Sequence, residues 1–156
     1  MMTKRWKAGD IFLAPNSDGK FTVGQVLAHE KRTLNCASCA FFDCRVDSIQ
    51  DGMLVIPSID ECISTLLVTP DGLDGKVWPV IGNQPVLIPR KLYPYEKLLA
   101  SKKLGAKVRG SGNVASFLDA YYCLRPWDDW FKADYLDDYL LSPDKKPKRL
   151  ILVKTG

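Results

Sequence analysis

The stretch GDIFLAPNSDGKFTVGQVLAHE, from Gly9 to Glu30, decides how this chain is read. Residues 10–15 and 21–30 run apolar or alternate apolar with polar, which is the period of a strand. Between them, Ser17-Asp18-Gly19 is turn chemistry, because Asp bonds the local backbone and Gly accepts positive φ. The pair predicts a β-hairpin. Gly24, inside the second strand, predicts a bulge or a close backbone approach.

Strand grammar continues outward from this hairpin. CAFFDCRVDSI (39–49) predicts a strand with a bulge, since its alternation slips, and GMLVIP (52–57) is a further short candidate. Ser58 and Glu61 have capping-box spacing for a short helix, after which STLLVTP is strand-like. KVWPVIG (76–82) predicts another strand, and Pro79 inside it argues for an edge or a bulge. After residue 90 the grammar becomes helical. One helix is expected from Pro94 to Lys103, ended by Gly105. A second is carried by Val114, Phe117, Leu118 and Tyr121 at helical spacing, with Asn113 as its cap and Pro126 as its stop. PWDDWFKADYLDDYLLSP (126–143) is expected to be helical too, with Pro126 at its first position. KRLILVK (148–154) returns to a strand. The order predicts an α+β fold in a single domain over residues 1–156. Its sheet should be curved, antiparallel and barrel-like, followed by two or three C-terminal helices and a final strand.

Composition bounds the function. A chain of 156 residues, 46% hydrophobic and 26% charged, should bury a core that needs no disulfide or metal. No run approaches the roughly 18–20 apolar residues that cross a bilayer, and MMTKRWKAGD has no apolar segment behind its charges, unlike a signal peptide. Five cysteines, at 36, 39, 44, 62 and 123, are an odd number that suits a reducing compartment. Cytoplasm is the expected location. The net charge of +4 is unevenly spread. Residues 126–142 hold five Asp against Lys132, whereas Arg90 to Arg109 holds seven Lys/Arg against Glu96.

The chemistry-bearing residues are few. His29, Cys36, Cys39 and Cys44 could supply four zinc ligands, but a structural site shows a second close pair, and Cys39 and Cys44 sit in an apolar strand where cysteine packs as a small hydrophobe. A redox Cys-x-x-Cys wants a helix N-terminus, and this one lies in a strand. His29 is the only histidine and has no nucleophile elbow near it in sequence. RGSGNVAS (109–116) lacks the lysine of a phosphate loop, and a helix start accounts for its glycines. These readings predict no enzyme activity, no cofactor, no metal and no small-molecule substrate. A small barrel of the toxin endoribonuclease or adaptor kind, binding nucleic acid through the basic stretch with Tyr93 and Tyr95, is the rival reading, opposed by the modest charge and by an aromatic cluster set among aspartates that would repel phosphates.

The aromatic cluster among aspartates is more informative. On a helix over 127–141, Ala133, Leu136 and Leu140 form a core side. Trp127, Trp130, Phe131, Asp134 and Asp138 then gather opposite, with Asp128 at the rim. The alternative is a break near Asp134 into two short pieces, each burying its own aromatics. Aromatics of this kind are enriched in interface hot spots, which makes Trp127, Asp128, Trp130, Phe131, Asp134 and Asp138 the candidate partner-binding residues.

WKAGDIFLAPNSDGKFTVGQVL, CAFFDCRV and WPVIGNQPV, in that order over residues 6–88, resemble the motifs of the immunity protein 26 family of bacterial polymorphic-toxin systems. The resemblance implies a non-enzymatic antidote that binds a cognate toxin protein. It implies fold-defining roles for Gly9, Asp10, Gly19, Gly24 and Trp78, and partner specificity beyond residue 90.

Overall fold

In the computed structural model, which describes residues 6–31, 35–53, 57–94, 96 and 107–153, the opening stretch is the hairpin its pattern predicts. β1 (Asp10–Pro15) and β2 (Phe21–Glu30) pair antiparallel, with Leu13 opposite Val23. Gly19 turns the chain at φ 88°, and the Asn16 amide closes the turn on the Lys20 carbonyl at 2.8 Å. Gly24 sits at the expected bulge, and the group that crowds it most closely is a side chain rather than backbone. The register with the next strand slips between Thr22 and Gly24, and a Cβ at Gly24 would fall against the ring of Phe12.

β3 (Cys36–Val46), β4 (Cys62–Val68), β5 (Val80–Asn83) and β6 (Val108–Arg109) extend this into a six-stranded sheet ordered β5-β1-β2-β3-β4-β6. Period-2 alternation sends neighbours to opposite faces. Phe12 and Ala14 enter one core while Ile11 and Leu13 enter the other. On the first face Trp78 stacks on Phe12 at 5.3 Å and meets Phe41 edge-on at 5.8 Å. The second face holds Val23, Phe42, Ile88 and Tyr93. Short helical turns, α1 (Ile49–Gly52) and α2 (Asp71–Asp74), link strands, and Ser58 with Glu61 forms the predicted capping box before β4. The fold class is α+β.

Several local expectations are corrected. The sheet is mixed, because β6 runs parallel to β4, and it does not close into a barrel, because β5 and β6 end it. Residues 49–52 are helical, and 54–56 lie outside the described residues, as do 95 and 97–103 of the helix expected from Pro94 to Lys103, and Gly105 after it. α3 (Ser111–Tyr121) begins at Gly110 rather than Asn113. Thr69 Oγ1 accepts the Ser111 amide at 3.0 Å, and Asp71 accepts the Ser111 hydroxyl at 2.6 Å, so the cap comes from a distant loop. α3 ends before Pro126. Cys123 takes a left-handed φ of 61°, and the Leu124 amide reaches back to the Asp119 carbonyl at 2.8 Å. That is a Schellman closure with cysteine in the usual glycine position.

Residues 127–141 do not form the expected helix. They run irregularly into a 3-10 turn at Tyr135–Tyr139. A regular helix would leave Trp127 opposite Leu136 and outside the core. Burying a tryptophan gains about 4–6 kcal/mol by area, against about 1 kcal/mol for each helical hydrogen bond retained. Burial wins, and Trp127, Leu136 and Leu140 all reach the core while Ala133 is exposed. The predicted final strand is absent too. Residues 148–153 take no strand, although the Trp127 amide bonds the Ile151 carbonyl at 2.9 Å and the Val153 amide bonds Asp128 Oδ1 at 2.7 Å. No helix among the described residues is long and apolar enough to cross a membrane.

Candidate functional site

The surface of interest is the outer end of an aromatic ladder that starts in the core. Phe117, on α3, is fully buried and meets Trp127 edge-on at 5.9 Å and Tyr139 at 5.2 Å. Tyr139 contacts Tyr135 at 5.6 Å, with their hydroxyls 3.3 Å apart. Tyr135 in turn holds both Trp130 and Phe131, each at 4.9 Å between ring centres. Phe131 ends the ladder and is 80% exposed.

Two arginines brace the ladder through cation–π contact. Arg109, from β6, lies 4.2 Å above the Tyr139 ring, and Arg125 lies 5.5 Å from Trp130 while donating to Ser116 Oγ at 2.9 Å. Burial, followed by the hydrogen bond with Tyr135, pushes the Tyr139 hydroxyl well above its usual pKa, so it stays protonated. Phe131 thus rests on Tyr135, whose ring is itself packed against Trp130 and Tyr139.

The structure divides the six residues singled out in the sequence. Trp127 is 1% exposed and donates through Nε1 to Asp137 at 2.7 Å, which makes it a core residue rather than a surface one. Asp128 is buried, with one carboxylate oxygen accepting the Val153 amide. Trp130 is half-buried beneath the ladder's end. Phe131, Asp134 and Asp138 are exposed, and Asp129 joins them. With Lys132 as the one exposed cation between 129 and 138, three free carboxylates accompany the protruding ring. Tyr135, Arg109 and Arg125 were not legible as parts of this surface. The Tyr135–Tyr139 spacing was a signal for one of them, but the arginines arrive from elsewhere in the chain.

The other candidates are placed as follows. β3 sends Cys39 into the first core and Cys44 against the second, so the two thiols sit on opposite faces of the sheet and cannot share one ion. Burial raises the pKa of both Cys36 and Cys39. His29 packs on Trp6 at 4.4 Å, and its Nε2 is buried with no hydrogen-bond partner among the described residues. At the start of α3, Asp71 occupies the end that an anion would need. In the basic stretch, Arg90 pairs with Glu96 at 3.7 Å and lies over Tyr93, and Arg109 is taken up by the ladder.

The residues that the resemblance marked as fold-defining have visible jobs. Gly9 turns at φ 91°, and Asp10 is buried, accepting the Lys7 amide at 2.9 Å and the Asn83 side-chain amide at 3.0 Å. Trp78 fills the space that Gly72 leaves. Comparison of the chain with protein-family models, with curated proteins and with solved structures gives no match.

Proposed function

We propose that this protein is a cytoplasmic immunity protein, an antidote that neutralises a cognate bacterial toxin by stoichiometric binding and performs no chemistry of its own. The observation that carries the reading is Phe131, held out into solvent on Tyr135 and Trp130 and accompanied by Asp129, Asp134 and Asp138. The order of the three motifs over residues 6–88 supports it. Many toxin domains that attack nucleic acid or membranes are basic, and an acidic rim steers a basic partner while a central aromatic anchors it. A preformed anchor also reduces the ordering cost of association.

The test is binding to the C-terminal domain of a toxin encoded beside this gene, measured with both association and dissociation rates. Phe131→Ala should weaken binding by about 2 kcal/mol or more, mainly through faster dissociation, with the melting temperature unchanged. Asp134→Lys should slow association and flatten its salt dependence. Unchanged affinity in Phe131→Ala would remove this surface from the reading. A neighbouring gene that encodes no toxin would remove the function itself.

A further inference from the structure

Four arginines among the described residues lie over aromatic rings, and two of them are also paired with a carboxylate. Arg45 sits 4.3 Å from the centre of the Tyr122 ring and bonds Asp18 at 2.8 Å. Arg90 sits 5.1 Å from the Tyr93 ring and pairs with Glu96 at 3.7 Å. Arg109 and Arg125, the two on the ladder, have no carboxylate partner among the described residues, although both are half-buried. Carboxylates are not scarce there. Asp129, Asp134 and Asp138 are exposed in the same region and form no ion pair among the described residues either. The surface therefore carries unpaired charge of both signs.

An aromatic ring takes up the face of a guanidinium and leaves the N–H donors at its edge. Arg125 uses one of these for Ser116 Oγ at 2.9 Å, while its Nε is buried with no acceptor among the described residues. Arg109 makes one long bond, to the Tyr135 hydroxyl at 3.5 Å. A half-buried cation without a counter-charge has lost water and gained little in return. A buried donor without an acceptor calls for an explanation in the same way. The group that meets both needs is a carboxylate, whose two oxygens match the guanidinium fork.

Resting on the antidote reading above, we infer that the toxin presents carboxylate side chains to Arg109 and Arg125 while its basic groups meet Asp129, Asp134 and Asp138. The antidote then recognises a pattern of two signs rather than positive charge alone. Specificity follows from this. A uniformly basic toxin domain is drawn to the acidic rim but meets like charge at the two guanidiniums, which opposes docking. A nucleic acid also supplies anions, but its phosphodiester chain would carry repeated negative charge past the three aspartates. A protein surface can set a carboxylate beside an ammonium.

A double-mutant cycle with the toxin domain encoded beside this gene tests the pairing. Arg109→Gln and Arg125→Gln remove the charge, and each should raise the dissociation constant about tenfold or more. Circular dichroism fixes the folded fraction of each variant, so that lost bracing of the ladder is not counted as lost binding. The exposed Asp and Glu of the toxin are replaced one at a time by Asn and Gln. One of these should weaken wild-type binding by a similar factor and have little further effect on an arginine variant. Arg45→Gln, whose carboxylate lies in its own chain, should bind as wild type. Should a glutamine variant unfold, Arg109→Lys or Arg125→Lys takes its place. Lysine keeps the charge and loses the fork, so a smaller loss coupled to the same toxin carboxylate is expected. Wild-type affinity in both arginine variants overturns the inference alone. So does a loss that is additive with every toxin substitution, or an equal loss in Arg45→Gln. Binding of a single-stranded RNA oligonucleotide that the arginine variants abolish would make phosphate the complement and overturn it as well. A toxin domain that does not bind the wild type removes the antidote reading, and this inference with it.

Discussion

Replacing Trp127 with alanine removes the ring that joins α3 to the segment after it, and the structure sets the size of the effect. Trp127 is 1% exposed, and its ring lies against Phe117 at 5.9 Å. A tryptophan buries about 150–250 Å², which at about 25 cal/mol per Å² is about 4–6 kcal/mol. Alanine keeps a fraction of that, and large-to-small substitutions of buried aromatics cost about 3–5 kcal/mol. The lost hydrogen bond adds little, because Asp137 is more than one-third exposed and retains Lys146 at 3.1 Å. About 4 kcal/mol is therefore expected. For a chain of this size, each kcal/mol moves the melting temperature by about 2–4 °C, so a fall of about 8–16 °C should be seen. Urea unfolding gives the same quantity as a shifted midpoint at constant slope. Phe131→Ala is the internal control: its side chain is 80% exposed, and its stability should stay within about 0.5 kcal/mol of wild type. A loss below about 1.5 kcal/mol for Trp127→Ala, or above it for Phe131→Ala, would refute the assignment of one ring to the core and the other to the surface.

Gly24→Ala should destabilise the protein by about 1–3 kcal/mol in the same unfolding assay, because the new methyl meets the Phe12 ring in a filled core; a neutral effect would refute the close approach. Hydrogen bonds from Ser111 and Thr69 hold the Asp71 carboxyl below its ordinary value of 3.8. Its contribution is therefore present above that pH and is lost as pH falls through the lowered value. The stability gap between wild type and Asp71→Ala should accordingly be open at neutral pH and close under acid, and a gap that is constant with pH would contradict the linkage. Chelator should leave the melting temperature unchanged and the purified protein should hold no stoichiometric zinc, since Cys39 and Cys44 face different cores; one zinc per chain would overturn this.

The acidic, aromatic segment shows why side-chain exposure is hard to read from a helical projection. Trp127 and Phe131 fall on the same side of an ideal helix, yet one is buried and the other is the most exposed large apolar side chain described. The chain leaves helical geometry at Cys123 and spends its backbone freedom on inserting Trp127 beneath α3. Phe131 is then displayed because its neighbours are used, Trp130 by Arg125 and Tyr135 by Arg109.

What the sequence determined by itself was local and periodic. The hairpin from Asp10 to Glu30, the bulge at Gly24, the capping box at Ser58 and Glu61, the edge position announced by Pro79 and the core face of α3 were all legible. Each depends on side-chain period, backbone freedom or hydrogen bonding within a few residues. Tertiary structure decided the rest. The start of α3 is set by Thr69 and Asp71, some forty residues away in sequence. The parallel pairing of β6 with β4 and the failure of residues 148–153 to form a strand depend on which backbone groups find partners across the fold. The helix expected over 127–141 yielded because core burial of Trp127 outweighs several helical hydrogen bonds, and that comparison needs a core to be made against. Propensity acts over one turn of chain, whereas burial acts between segments that only the folded topology brings together.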